Sequence, residues 1–176
     1  DSRKVQEDYV FVAIRGERTD GHNYISQVFE NGALAVVSEQ PIDSSRPCIL
    51  VKSTKQALKD LAAFYLANLD VTVVGITGSV GKTSTKEIMA SVLSQKFCVH
   101  KTKGNFNNEI GLPLTVFKMR EEHQAAVLEM GISDFGEMHR LASISRPDIA
   151  VITNIGLAHL KTLESRAGIL KAKTEM

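Results

Sequence analysis

Cysteine is scarce in this chain: only Cys48 and Cys98 occur among its 176 residues. Each stands alone in an apolar stretch, with no Cys-x-x-Cys or metal-ligand spacing. That excludes a disulfide scaffold and predicts two buried thiols in a reducing compartment. An excess of charge of one sign is lacking as well, since 21 Lys and Arg face 20 Asp and Glu for a formal net charge of +1. Without a basic field there is little to hold a phosphate backbone, so no nucleic-acid partner is expected. No apolar run approaches the ~18 residues that a membrane span requires, and 43% hydrophobic residues with a mean hydropathy of -0.05 describe a soluble globular chain with no membrane insertion. No basic-then-apolar leader follows Asp1, and no repeat or low-complexity tract is visible, so the expected location is cytoplasmic. The length allows one ordinary domain or two small ones.

What is present is periodicity. Residues 9–14 form a short apolar run bounded by the charged stretch 15–21 and read as a strand. Residues 24–31 carry Ile25, Val28 and Phe29 at helical spacing, with Gly32 as a C-terminal stop, and 33–38 and 48–52 read as two more strands. Ser53 with Gln56 makes a capping box that opens a helix through Leu58, Leu61, Tyr65 and Leu69 to Asp70. Beyond it strands at 71–76, 97–101, 125–130 and 148–153 alternate with helices at 83–94, 114–119 and 137–144, and another helix-like stretch begins near Ser165. Such alternation predicts an α/β chain: a small N-terminal α/β domain over residues 1–70, then part of a parallel-sheet domain over 71–176.

The densest chemical signal is Gly75-Ile76-Thr77-Gly78-Ser79-Val80-Gly81-Lys82-Thr83-Ser84, set between a β-branched strand and an amphipathic helix. Glycines let backbone N–H groups turn inward around phosphate oxygens, and the helix N-terminus adds partial positive charge. Lys82 supplies a point charge for the β/γ-phosphates and Thr83 a hydroxyl for Mg²⁺, so Gly78, Ser79, Gly81, Lys82, Thr83 and Ser84 make the expected nucleotide cradle. The strict phosphate-loop pattern has glycine where this chain has Ile76. Neither Asn-Lys-x-Asp nor Asp-x-x-Gly occurs, which favours ATP over GTP.

Ligands of open parallel sheets lie beyond the carboxyl ends of the strands. Glu129 closes the strand 125–130 as a carboxylate after an apolar run, a placement that needs a cation or donors and is expected to hold Mg²⁺. Past the strand 148–153, Asn154-Ile155-Gly156-Leu157-Ala158-His159 brings an amide and an imidazole to the same edge. Alone, His159 reads as an ordinary histidine; beside Glu129 and Lys82 it reads as a metal ligand. The stretch 104–113 carries three Asn side chains able both to donate and to accept. His100, His123 and His139 read as structural or solvated, and Asp20-Gly21-His22 as turn-forming first.

Four strings, GITGSVGKTSTKE (75–87), GNFNNEIGLPLT (104–115), LEMGISDFGEM (128–138) and PDIAVITNIGLAHL (147–160), occur in this order and resemble the Mur ligase family of peptidoglycan synthesis. DSRKV, FVAIRGERTDGH and NGALAVV support the likeness at the front. The Asn-Asn-x-Ile-Gly-x-Pro form of the second string, and the lack of Thr-Thr-Pro there, are similar to the branch that adds D-alanyl-D-alanine.

The resemblance implies an ATP-dependent, ADP-forming amide ligase in which the terminal carboxylate of UDP-MurNAc-tripeptide becomes an acyl phosphate that the amine of D-Ala-D-Ala attacks. It further implies that Lys82 holds the β/γ-phosphates, Thr83 and Glu129 one Mg²⁺, and His159 a second. Asn105 and Asn108 would line the substrate side, Ser2 and Arg3 would meet the uridine nucleotide, and Lys173 matches a lysine that some members carry as a carbamate. On its own Lys173 reads equally as a helix-surface lysine. Leu163-Glu164-Ser165 departs from the Phe-Gly-Ser usual in the family. The family also has a third domain and further central strands, so the 176 residues by themselves are expected to turn nothing over. Two other readings stay open: a nucleotide- or UDP-sugar-binding module without catalysis, and a folylpolyglutamate-type ligase with another carboxylate.

Overall fold

The computed structural model describes residues 1–16 and 19–176; positions 17 and 18 of the expected 15–21 stretch lie outside the described residues. By contacts the chain divides into two compact units, Asp1–Leu58 and Lys59–Met176.

In the first unit, β-branched and small residues give three short strands, β1 (Val10–Val12), β2 (Ala35–Ser38) and β3 (Cys48–Leu50), paired in parallel in the order β1-β2-β3. The middle strand is buried at all four residues while the flanking two are partly exposed. Helix α1 (Ile25–Glu30) buries Ile25 and Val28, one turn apart, in a core with Phe11, Ala13, Ala33 and Val36. It enters through a 3₁₀ turn, Gly21–Tyr24, which is why the regular helix starts later than the expected residue 24. Gly32 ends it at φ 95°, a conformation that favours glycine.

Helix α2 (Thr54–Ala67) straddles the division. The second unit continues with β4 (Thr72–Thr77), α3 (Lys82–Leu93), β5 (Val99–Lys101), α4 (Gly111–Val116), β6 (Ala125–Glu129), α5 (Glu137–Ser145), β7 (Ile149–Ile152), α6 (Leu160–Leu163) and α7 (Arg166–Lys173). Its four strands are all parallel, in the order β5-β6-β4-β7. Alternation along β4 and β6 divides the core between the two faces of the sheet: Val73 and Leu128 pack with Leu112, Leu141 and Ile169, whereas Val74 and Val127 pack with Ala90 of α3. Burying aliphatic side chains of this size contributes roughly 1.5–3 kcal/mol each. The register places Ile76 beside Glu129 and Thr77 beside Ile152, so β4, β6 and β7 end at one edge.

The α/β class and the parallel sheet of the second unit agree with the expectation from alternation, and the first unit adds a parallel sheet whose strand directions alternation had not specified. Three details differ. The helix expected at 114–119 begins at Gly111, because Asn108 Oδ1 accepts from the N–H groups of Ile110 (3.2 Å) and Gly111 (2.8 Å) and caps it, while Pro113 sits in the first turn, where a missing N–H is harmless. The thiols are not both buried: Cys98, just before the edge strand β5, is exposed, and Cys48, on the edge strand β3, is half-buried. Finally, α6 has too little apolar periodicity to be read from sequence. The turn at Leu163-Glu164-Ser165 does form, with Glu164 held at φ 62° and Ser165 Oγ capping α7 by accepting from Gly168 N at 3.1 Å.

Candidate functional site

The connection from β4 to α3 is shaped by two glycines with positive φ, Gly78 at 146° and Gly81 at 81°. A Cβ on Gly78 would lie 1.9 Å from Thr153 Oγ1, so only glycine fits there. The residues after β7 grip the loop from outside. Thr153 Oγ1 donates to Val80 O at 2.6 Å, and Asn154 Oδ1 accepts from Ser79 N and Val80 N at 3.2 and 3.1 Å. Gly156 N donates to Ser79 Oγ at 3.0 Å. Lys82 Nζ donates to Gly78 O at 2.8 Å, folding its ammonium over the loop. At the base of the loop the fully buried Thr77 Oγ1 has no hydrogen-bond partner among the described residues. Ser84 is exposed on the first turn of α3.

Glu129 ends β6 with its side chain only 4% exposed. Thr83 Oγ1 donates to its Oε2 at 3.0 Å, and Asn107 Nδ2 donates to its Oε1 at 2.8 Å. Lys86 Nζ lies 3.7 Å from Oε2, and the backbone N–H of Glu129 donates to Thr102 Oγ1 at 2.9 Å. The strand thus delivers an anion beside the phosphate loop, ringed by donors that offset its burial.

The amide-rich loop divides its work. Asn107 faces Glu129, Asn108 caps α4 with its amide oxygen, and Asn105 is exposed with its carbonyl accepting from Asn107 N at 2.8 Å. Glu109 fastens the loop through Lys59 (3.0 Å) and Arg140 (2.6 Å). Those two cations hold its carboxyl below the usual range against the opposing effect of its burial. Sequence reasoning had not singled out Asn107 or Lys86 as site residues. Asn107 was one of three equivalent amides, whereas Lys86 carried a signal in its spacing, four residues after Lys82 on the same helix face.

His159 is exposed at the N-terminus of α6 with φ 56°. Lys173, by contrast, is 1% exposed, and burial, with the nearby charge of Lys82 adding to it, lowers its pKa to about 8. Among the described residues no group of three His, Cys, Asp or Glu side chains is gathered to hold a metal ion. The oxygens of Thr83 and Glu129 suit Mg²⁺, which takes one or two protein oxygens and fills its shell with phosphate and water.

In the first unit, a cavity of about 680 Å³ is lined in part by Asp1, Ser2, Arg3, Phe11, Tyr24 and Gln27. Arg3 is exposed and pairs with Asp1 at 2.9 Å. Asp20 caps the 3₁₀ turn by accepting from His22 N. Its carboxyl is drawn down to about 2, chiefly by that backbone bond and then by the imidazole. His22 is occupied at both nitrogens, by Asp20 at 2.6 Å and by the N–H of Glu39 at 3.1 Å, in keeping with a turn-forming role. His100 is likewise structural, buried with Nε2 3.0 Å from Thr115 O.

Comparison with known proteins agrees with this layout. Residues 76–176 match the Mur ligase middle domain, and residues 1–66 match the Mur ligase family catalytic domain. The Bacillus subtilis protein named UDP-N-acetylmuramoyl-tripeptide–D-alanyl-D-alanine ligase is 48% identical over all of this chain, which spans 39% of that protein. Two solved structures superpose closely. The MurF ligase from Thermotoga maritima in complex with ADP has a TM-score of 0.94 at 43% identity, over 99% of this chain and 41% of its own. MurF from Acinetobacter baumannii has a TM-score of 0.95 at 41% identity, over 99% and 39%. The chain therefore spans about two fifths of the length of the relatives it matches, and it belongs to the Mur ligase family, whose members are ATP-dependent ligases.

Proposed function

We propose that this chain is the front portion of a ligase that joins D-Ala-D-Ala to UDP-MurNAc-tripeptide with conversion of ATP to ADP and phosphate. In this reading residues 1–70 take the uridine nucleotide and 71–176 are the first part of the ATP domain. The observation that carries it is the contact of Thr83 Oγ1 with Glu129 Oε2 at 3.0 Å, directly beside a phosphate loop. The relatives at 40–48% identity all bear the name of that ligase, which favours it over a folylpolyglutamate-type substrate or a non-catalytic module.

Transfer of a γ-phosphoryl group to a carboxylate brings two anions together, so the barrier is dominated by charge and by positioning. Lys82 would leave Gly78 O and engage the β/γ-phosphates, and the N–H groups of Gly81 to Ser84 would cradle them at the start of α3. Thr83 and Glu129 would hold Mg²⁺, which when bound neutralises charge between the reactants. Asn105 and Asn108 would lie on the substrate side, and the amine of D-Ala-D-Ala would displace phosphate from the acyl phosphate to form the amide. Lys173 is suited to carbamylation, because a buried amine with a pKa near 8 reaches the neutral form that reacts with CO₂. His159 would need to turn inward from its exposed position to serve a second Mg²⁺. Arg3 and Ser2 border a cavity roomy enough for a nucleoside diphosphate. No helix of the described residues is long and apolar enough to cross a membrane, and we assign the reaction to the cytoplasm.

The test is phosphate release by the full-length gene product with ATP, Mg²⁺ and UDP-MurNAc-tripeptide, with and without D-Ala-D-Ala, beside a Lys82→Ala control. Release that requires both substrates and disappears in the control is expected. Release indifferent to D-Ala-D-Ala would overturn the reading.

A further inference from the structure

Lys86 lies on α3 one turn beyond Lys82 and three residues after Thr83, so all three side chains share one helix face. Its side chain is 1% exposed, although a lysine in the polar sequence TSTKE would ordinarily stay in water. A buried ammonium is tolerated only when paired, and two carboxylates supply the pairing: Glu87 Oε1 at 3.2 Å and Glu129 Oε2 at 3.7 Å. Glu87 is shared with Lys101 and is half exposed, so it has a second cation and water. Glu129 is 4% exposed, and Lys86 is the cation paired with it among the described residues. The oxygen that Lys86 faces is also the one that accepts from Thr83, while Asn107 occupies the other. The carboxylate therefore presents Oε2 to two groups at once: the hydroxyl proposed as a metal ligand and a fixed positive charge.

We propose that Lys86 is a built-in counter-cation that holds Glu129 in place before nucleotide arrives and keeps free divalent cations off it. This rests on the assignment of Thr83 and Glu129 to Mg²⁺ made above. A like charge within about 4 Å of Oε2 disfavours a bare dication in a poorly hydrated pocket. A dication that comes with the nucleotide's own negative charge is disfavoured far less, because the phosphates screen the ammonium and add ligands. The metal is thereby admitted as part of the metal–nucleotide complex. Lys86 is a positioning residue that touches Glu129 rather than the reacting atoms.

The experiment measures Mn²⁺ binding to the full-length protein without nucleotide, by the loss of the free-ion electron paramagnetic resonance signal. The wild type, Lys86→Met, Lys86→Arg, Glu129→Gln and the double variant Lys86→Met/Glu129→Gln are compared, and wild type and Glu129→Gln are measured again in the presence of ADP. Circular dichroism melts show which variants are folded, and Lys86→Gln replaces Lys86→Met if the latter is not. Removing the charge is expected to tighten nucleotide-free Mn²⁺ binding by about tenfold or more, an effect absent in the arginine variant and abolished by the second substitution. A lysine that merely fills space would alter the melting temperature and leave Mn²⁺ affinity alone. Equal Mn²⁺ affinity in wild type and Lys86→Met, with nucleotide-dependent Mn²⁺ binding still lost in Glu129→Gln, overturns the role of Lys86 and spares the metal assignment. Nucleotide-dependent Mn²⁺ binding that is indifferent to Glu129→Gln overturns the assignment itself.

Discussion

Asn107 Nδ2 donates to Glu129 Oε1 at 2.8 Å, so one hydrogen bond joins the amide-rich loop to the last residue of β6. A bond to a buried charged group is worth about 1.5–3 kcal/mol, and losing it leaves a carboxylate oxygen unpaired. Asn107→Ala is expected to lower kcat/KM by about ten- to a hundredfold with little change in the uridine-nucleotide affinity. Asn107→Asp should do worse, since it sets a second anion against Glu129. Steady-state kinetics on the full-length enzyme, with Mg²⁺ titrated, checks both.

Gly78→Ala should remove nucleotide binding. Its φ of 146° is a glycine conformation, and a Cβ would sit 1.9 Å from Thr153 Oγ1, displacing the strand end that grips the loop. Gly104 offers the contrast: φ is 56° and no atom of the described residues lies within 4 Å of an added Cβ, so Gly104→Ala carries only the left-handed backbone penalty of ~1 kcal/mol. Calorimetric titration with ADP should find no measurable binding for the first variant and affinity within a few-fold of wild type for the second.

Glu164→Gly is expected to stabilise the chain. Glu164 has φ 62° with ψ -44°, outside even the left-handed helical basin. Such strain amounts to ~1–3 kcal/mol, and the extra freedom that glycine gives the unfolded chain offsets ~0.5–1 of it. Urea denaturation should therefore show a gain of about 1 kcal/mol, with an unchanged m-value.

Lys173 makes stability depend on pH in a definite direction. Burial lowers its folded pKa to about 8 from 10.5, so the unfolded chain binds this proton more readily and the penalty on the fold is complete below pH 8. It is relieved as the pH rises from 8 towards 10.5. Replacing Lys173 with Met should raise stability most at pH 7, and the gap to wild type should close over that window in denaturation curves measured at pH 7, 8, 9 and 10. A ¹³C-bicarbonate resonance near the carbamate region, present in wild type and absent in the methionine variant, would report modification of the amine.

Much of the fold was legible because its signals are local. Strands β4 and β7 are rich in β-branched residues and β6 is a short apolar run, α1 shows its apolar spacing at Ile25 and Val28, and the phosphate loop declares itself through the spacing of Gly75, Gly78 and Gly81 before Lys82. Less local facts were not legible. The burial of Lys173 and Lys86 depends on which elements close over them; Lys86 at least shares a helix face with Lys82, whereas nothing in the spacing around Lys173 marks it. The separate tasks of Asn107 and Asn108 depend on the helix start at Gly111, which follows from the cap that Asn108 itself supplies. His159 was assigned from its neighbours in the strings, and its outward position follows from a backbone turn at φ 56° that spacing does not encode.

The grip of Thr153 and Asn154 on Val80 and Ser79 spans 73 to 75 positions of chain. The loop is thus braced by a segment synthesised long after it, and contacts of such separation form late because the intervening chain must first be ordered. On the ribosome, the glycine-rich turn is expected to emerge unbraced and without affinity for nucleotide until residues through Gly156 have cleared the exit tunnel. A fluorescent ADP analogue would then serve as a clock for the docking of β7 on nascent chains arrested at successive lengths.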